Sequence, residues 1–186
     1  MTKNKTFIYV KNPKIKNKIS PDKNIVEYSV DCKINDFVKQ IMFFESPSSK
    51  EEFKEIIKNS GAEIVHLMNF SNEEYDMEKF IITLSGMLRY ALNNLNGEFN
   101  KEKLSLALGI DDETLLNALT LLEESGIIDL KQISEDKYKI SYIHSVELSK
   151  IKQNEIYLII SEKINEMNNF RTFYLNADVE EIKELL

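Results

Sequence analysis

The apolar residues between positions 78 and 143 follow two kinds of spacing in succession. In the first segment they recur three and four positions apart, which predicts one buried face of a helix. This stripe comprises Phe80, Ile81, Leu84, Met87, Leu88, Ala91, Leu92 and Leu95. It ends at Asn96-Gly97, where a left-handed cap can form. The pattern therefore predicts an amphipathic helix over residues 78–95.

Two shorter helices and a hairpin are predicted after this first helix. Residues 100–109 and 111–126 each begin with an Asn or Asp cap and end at a glycine, as helices commonly do. The third helix would bury Leu115, Leu116, Leu119 and Leu122. Residues 127–133 and 138–143 then predict two strands joined by a polar turn, because the second alternates apolar with polar side chains. This order of elements is typical of a winged helix.

The first third of the chain predicts a small α/β lobe. Its strand candidates are residues 7–10, 25–30, 37–45 and 63–70. Residues 37–45 are mostly apolar, as in a strand that is buried on both faces. Ser48 and Ser49 then stand three residues before Glu51 and Glu52, the spacing of a capping box, and the helix that follows ends at Gly61. A strand, a helix and a second strand in this order predict a βαβ unit with parallel strands.

After residue 145 the apolar spacing predicts a long helix and a short last one. The long stripe comprises Ile151, Ile156, Ile159, Ile160, Ile164, Met167, Phe170, Phe173, Tyr174 and Leu175. Asp178 can cap the last helix, and Glu181 completes a capping box. We therefore expect a mixed α/β (α+β) chain in three parts. These are a small α/β lobe over residues 1–72, a winged-helix-like domain over 73–145, and C-terminal helices over 146–186 that pack on both.

The formal net charge of −7 is unevenly distributed along the 186 residues. Residues 1–24 contain seven lysines and one aspartate, so the remainder is strongly acidic. The single cysteine, Cys32, excludes an internal disulfide framework and a thiolate zinc site, and is typical of a reducing cytoplasm. No apolar run approaches the ~18 residues of a membrane span, and the start lacks the apolar core of a signal peptide. We expect a cytoplasmic protein with no membrane partner.

The basic segment after the first strand is the main candidate for nucleic-acid contact. Its lysines are Lys11, Lys14, Lys16, Lys18 and Lys23. Single strands are held by backbone charge together with stacking, so Tyr9 or Tyr28 would help these lysines to bind single-stranded DNA. The alternative is a solvated connection between two strands that happens to be basic.

No arrangement of residues in the sequence predicts catalysis. His66 and His144 are each isolated from further metal ligands, and the dinucleotide fingerprint, the P-loop and the Gly-x-Ser-x-Gly elbow are absent. A ligand of the parallel sheet would lie beyond a strand end at residues 45–47, but that turn has no glycine and Glu45 would repel an anion. We expect no enzymatic activity, no cofactor and no bound metal. A self-contained enzyme with a site at residues 45–49 is the weakest alternative.

The third predicted helix lacks the side chains that contact DNA bases. In a winged helix it is the element that enters the major groove, where Arg, Lys, Asn and Gln are the usual contacts. Its outward residues are Asp112, Glu113, Asn117, Thr120 and Glu124, and no basic residue occurs over 111–126. Carboxylates there would repel phosphate, so we expect no sequence-specific binding of duplex DNA through this helix. Lys131, Lys137 and Lys139 on the hairpin could still touch a DNA backbone.

Four stretches together resemble the C-terminal domain of RecJ, the bacterial single-strand-specific DNA exonuclease, in its Gram-positive type. They are residues 41–70 (IMFFESPSSKEEFKEIIKNSGAEIVHLMNF), the helix around Phe80, residues 99–129 (FNKEKLSLALGIDDETLLNALTLLEESGIID) and residues 170–186 (FRTFYLNADVEEIKELL). The chain departs from the family pattern at Glu45-Ser46-Pro47, where Asp-Leu-Pro is usual. It departs again at Met77-Glu78-Lys79-Phe80, where Arg-x-x-Phe is usual.

The resemblance implies a non-catalytic accessory domain of a manganese- or magnesium-dependent 5′→3′ nuclease of DNA repair and recombination. The metal-binding Asp and His motifs of that family's catalytic core have no counterpart in this sequence. The implied partners are a RecJ-like catalytic core, single-strand binding protein or single-stranded DNA. Two alternatives remain: a winged-helix transcriptional regulator, and a protein-interaction module unrelated to a nuclease.

Overall fold

The computed structural model describes residues 6–10, 25–27, 38–68 and 76–185. Within these residues the helices are α1 (Lys50–Ser60), α2 (Met77–Asn94), α3 (Lys101–Leu108), α4 (Asp112–Glu124), α5 (Leu148–Ile151), α6 (Glu155–Asn176) and α7 (Val179–Glu184). The strands are β1 (Thr6–Tyr9), β2 (Ile25–Glu27), β3 (Gln40–Phe43), β4 (Ile64–Leu67), β5 (Glu98–Asn100), β6 (Ile128–Gln132) and β7 (Lys137–Ile143). The predicted mixed α/β class is confirmed.

The chain divides into two compact units. Unit 1 comprises Met1–Glu73 together with Met167–Leu186, and unit 2 comprises Glu74–Glu166. The division falls within α6, so the first part of that helix belongs to unit 2 and its last part to unit 1. Among the helices of the described residues, none combines the length and apolar character that crossing a bilayer requires.

Unit 1 is built on a parallel sheet with the strand order β2-β1-β3-β4. Each of the four predicted strands overlaps an observed one. β1 begins one residue earlier than predicted, β3 and β4 are shorter than predicted, and residues 28–30 of the second predicted strand lie outside the described residues. One face of the sheet is covered by α1, the end of α6, and α7. The buried residues of this core are Phe7, Tyr9, Val38, Ile41, Phe43, Phe53, Ile56, Tyr174, Ile182 and Leu185.

Unit 2 contains three helices, α2 to α4, and an antiparallel sheet with the order β5-β7-β6. The sequence did not predict β5, which pairs Phe99 with Tyr138 of β7. A strand of only three residues between two helices carries no visible alternation, and pairing with a distant strand is what fixes it. The predicted helix caps are confirmed at Ser49, Asn100, Asp111 and Asp178, whose side chains accept backbone N–H groups.

Two residues of the predicted apolar stripes are exposed instead of buried. Leu95 is 49% exposed at the end of α2, and Ile159 is 55% exposed on α6. Both lie at helical spacing from buried neighbours, and for this reason the spacing placed them on the buried face of their helices. Ile159 lines a groove between α4 and α6.

The hydroxyl of Tyr174 is buried in the core of unit 1 without a hydrogen-bond partner among the described residues. Its side chain is 2% exposed and meets the ring of Phe53 edge-on at a centroid distance of 6.0 Å. Burial raises the pKa of this hydroxyl above its ordinary value of 10.0, because the charged form is desolvated. The folded state therefore keeps the proton at a pH where the unfolded state releases it.

Replacing Tyr174 with phenylalanine is expected to raise the free energy of unfolding by about 1 kcal/mol, since an unpaired polar group leaves the core. The wild-type protein should also lose stability as the pH rises above about 10, and Tyr174→Phe should lose less. Urea unfolding of both proteins at neutral and alkaline pH measures this. Tyr142→Phe, at a position 40% exposed, is the control. A clear loss of stability in Tyr174→Phe would show that the hydroxyl is satisfied in the folded protein.

Candidate functional site

The five lysines predicted to contact nucleic acid lie outside the described residues. They are Lys11, Lys14, Lys16, Lys18 and Lys23. Their assignment stays a prediction from sequence.

The carboxyl ends of β1 and β3 form the position in the parallel sheet where a ligand would be expected. The chain leaves β1 toward β2 on one side and leaves β3 toward β4 on the other, which makes a topological switch point between them. The amino terminus of α1 lies directly after β3, and its free N–H groups would favour an anion.

A carboxylate of the chain itself occupies this helix terminus. Glu52 accepts hydrogen bonds from the Ser48 backbone N–H at 2.7 Å and from the Tyr9 hydroxyl at 3.0 Å. The Glu52 N–H in turn donates to Ser49 Oγ at 3.1 Å. Ser46 is buried and donates its hydroxyl proton to the Pro47 carbonyl. These hydroxyl and amide groups have internal partners, and a bound phosphate would have to displace Glu52.

The two histidines have structural surroundings. The His66 ring lies 3.2 Å from Gln40 Oε1, and the Gln40 amide donates to Thr6 Oγ1 at 2.7 Å, so a polar chain crosses three strands. His144 packs its ring against Tyr142 at a centroid distance of 4.9 Å and lines an open cavity of about 320 Å³. In the part of the chain that the structure describes, no group of three or more Asp, Glu, His or Cys could hold a metal ion.

The carboxylates of α4 and its cap are mostly engaged by neighbouring groups of unit 2. The partners are the Thr114 N–H for Asp111, Lys101 and Ser105 for Asp112, the Leu130 N–H for Glu123, and the Asn154 amide for Glu124. These bonds explain why this helix is acidic: its carboxylates join it to the elements around it. Glu113 is the exception, because it is exposed and no cation among the described residues pairs with it.

Lys101 connects three elements at the start of α4. Its ammonium group lies 3.2 Å from Asp112 Oδ2 and 3.6 Å from Asp136 Oδ1, and its backbone N–H donates to the Asp136 carbonyl at 2.8 Å. The side-chain hydrogen bond to Asp112 raises the pKa of Lys101, so the ammonium form is favoured. The turn of the β6–β7 hairpin is thereby held against α3 and α4.

One side of α4 faces the chain's own helix α6. Asn154, just before α6, donates to Glu124 at the end of α4 at 3.2 Å. Toward the other end of α4, the two helices border an open groove of about 270 Å³. Its lining residues are Glu113, Thr114, Asn117, Ile159, Ile160, Glu162, Lys163 and Glu166, and they define what we call the α4–α6 groove. On this side of α4 an approaching duplex would meet α6 and the carboxylates of Glu113, Glu162 and Glu166.

The hairpin offers little positive charge. Lys139 lies 3.9 Å from Glu98 across the β5–β7 pair, while Lys131 and Lys137 are exposed. Glu135 and Asp136 at the turn oppose these two lysines in charge. Two exposed lysines beside two carboxylates give a weak surface for phosphate.

Comparison with protein-family models, with curated proteins and with solved structures gave no match to this chain. The sequence had singled out the outward residues of α4 but missed what surrounds them. Lys101 and the exposed Ile159 carry no local signal, since a lysine at a helix start and an isoleucine in an apolar stripe are ordinary.

Proposed function

We propose that this chain is a non-catalytic accessory module, resembling the C-terminal part of a RecJ-like 5′→3′ single-stranded DNA exonuclease. It acts in the cytoplasm in DNA repair and recombination, through contacts with a catalytic core or with single-strand binding protein. Weak binding of single-stranded DNA through the lysines of residues 11–23 adds to these contacts. Unit 2 then serves as a winged-helix-like domain that binds protein partners and does not bind duplex DNA.

The state of α4 is the observation that carries this proposal. Three carboxylates of this helix bind groups of unit 2 outside it, Asp111 caps its first turn, and α6 lies beside one of its faces. A helix in this state offers carboxylates and amides to a partner, and no cation for phosphate. A transcriptional regulator that inserts this helix into the major groove is therefore the weaker hypothesis.

The first test is fluorescence anisotropy of the full chain with a labelled single-stranded oligonucleotide and with the matching duplex. We expect binding that prefers the single strand and weakens between low and near-physiological salt. Five phosphate contacts would give a slope of about −3.5 in log affinity against log salt concentration. Replacing Lys11, Lys14, Lys16, Lys18 and Lys23 with glutamine should abolish binding and flatten this slope.

The matched control is a double variant that removes two lysines of the hairpin, Lys131→Gln and Lys137→Gln. This variant should keep most of the affinity for the single strand. Sequence-dependent binding of the duplex would overturn the proposal in favour of a regulator. If neither nucleic acid binds, size-exclusion chromatography with a purified RecJ-like catalytic core and with single-strand binding protein tests the protein contacts directly. A complex with neither protein would contradict the accessory role.

A further inference from the structure

The α4–α6 groove combines unpaired negative charge with exposed apolar surface. Glu113 and Glu162 have no cation within ion-pair distance among the described residues, and Lys163 approaches only Glu166, at 3.4 Å. Ile159 lies in the groove and is 55% exposed, and the adjacent Leu158 is 58% exposed. Contiguous exposed apolar side chains with a polar rim are a feature of protein interaction sites.

The exposed face of α6 has a regular pattern. Glu155, Leu158, Ile159, Glu162 and Glu166 are all exposed and follow the three- and four-residue spacing of one helix face. The apolar pair thus lies between carboxylates on either side along the helix. This face extends over about 16 Å at 1.5 Å per residue, enough for three turns of a partner helix.

We propose that the α4–α6 groove docks a basic amphipathic helix of a partner protein. An apolar side chain of that helix would enter the groove against Ile159 and Ile160, and its lysines or arginines would face Glu113, Glu162 and Glu166. The inference rests on the proposed function in one respect, namely that the chain works through protein contacts.

Charge and size select this occupant. The rim carries three carboxylates against one lysine, so it repels nucleic acid and acidic peptides and attracts a basic segment. A volume of about 270 Å³ is at the lower limit for small-molecule pockets but accommodates one or two side chains. An apolar centre with a charged rim is also the usual anatomy of a protein interface.

The test measures anisotropy of a labelled synthetic helical peptide of about 18 residues, or five turns, with leucines on one face and lysines on the other. A second peptide replaces every lysine with glutamate. We expect the full chain to bind the lysine peptide and not the glutamate peptide. Ile159→Ser should weaken binding about tenfold, as for a central apolar contact, and Glu113→Gln with Glu162→Gln about fivefold, as for two rim charges.

The matched controls make the same changes on other surfaces of unit 2. Ile82, on α2, is 59% exposed and becomes Ile82→Ser, and the charge control combines Glu78→Gln with Glu135→Gln. These controls should change the affinity less than twofold, within the range of surface substitutions.

Equal effects of groove and control variants would reduce the binding to general attraction between opposite charges and overturn the proposal. So would self-association of the chain that Ile159→Ser abolishes, because the occupant would then be a second copy.

This experiment separates the groove from the assignment to a nuclease, since the peptides contain no nuclease sequence. If the groove variants leave peptide binding unchanged while a RecJ-like core still binds the chain, the groove proposal fails and the accessory role stands. If the groove binds the lysine peptide while the core, single-strand binding protein and single-stranded DNA do not bind, the groove proposal stands and the nuclease assignment fails.

Discussion

Replacing Gly97 with alanine is expected to lower the free energy of unfolding of unit 2 by about 3 kcal/mol or more. A Cβ atom at this position would lie 2.2 Å from the carbonyl oxygen of Ile140, well inside van der Waals contact. The backbone φ of 79° adds a second cost, because residues with a side chain rarely adopt this left-handed conformation. Urea unfolding followed by circular dichroism measures the loss, and hydrogen exchange of the β7 amides locates it.

The surrounding backbone has little freedom to relieve this clash. The Gly97 N–H donates to the Ala91 carbonyl at 3.0 Å, and the Ile140 N–H donates to the Gly97 carbonyl at 3.0 Å. The turn after α2 is therefore bonded both to its own helix and to β7. Moving Gly97 away from Ile140 would break one of these hydrogen bonds.

Two other glycines separate the contributions to this effect. Gly126 has a φ of 68° with open space around its Cβ position, so Gly126→Ala should cost only about 1 kcal/mol for the left-handed backbone. Gly86 lies within α2 and also has open space, so Gly86→Ala should stabilise unit 2 by about 0.5–1 kcal/mol. Equal losses in Gly97→Ala and Gly126→Ala would argue against the close approach to Ile140.

Replacing Phe53 with alanine is expected to lower the free energy of unfolding of unit 1 by about 4 kcal/mol. This side chain is fully buried at the centre of an aromatic cluster in the core. Its ring centroid lies 5.1 Å from that of Phe43, 6.0 Å from that of Tyr174 and 6.4 Å from that of Phe170. Alanine would leave a cavity lined by rings that cannot move together to fill it. Urea unfolding followed by circular dichroism measures the loss, and hydrogen exchange of the β1 and β3 amides assigns it to unit 1.

Two variants test whether the loss comes from the cavity. Phe53→Leu keeps most of the apolar volume and should cost about 1.5 kcal/mol or less. Ile64→Ala removes apolar atoms from the same unit at a position 44% exposed, so it should cost less still. If Phe53→Ala were as mild as Ile64→Ala, the cluster around α1 would contribute little to the stability of unit 1.

The acidity of α4 has a structural and a functional side. Its partnered carboxylates join α4 to Lys101, to β6 and to the start of α6. The same charges make the helix unsuitable for phosphate. The partnered carboxylates of α4 would thus contribute both to the stability of unit 2 and to its preference for protein partners. Glu113 and Glu162 are then the carboxylates that a partner could bind.

The sequence by itself determined the identity and order of most elements. Capping side chains act within three or four residues, so Asn100, Asp111 and Asp178 mark helix starts whatever surrounds them. Glycines with positive φ at positions 61, 109 and 126 mark helix ends for the same local reason. The absence of basic residues on α4 is also a property of the sequence, and it argued against binding of duplex DNA before the structure did.

The tertiary structure decided which groups meet across long stretches of chain. Glu52 and Tyr9 are 43 residues apart and Glu124 and Asn154 are 30 apart, so no local pattern pairs them. Helical spacing assigned Ile159 to the buried face of α6. In the structure it is exposed and lines the groove between α4 and α6. Helical and capping hydrogen bonds join residues that are close in the sequence, whereas strand pairing, carboxylate partners and exposed surfaces depend on how distant segments pack.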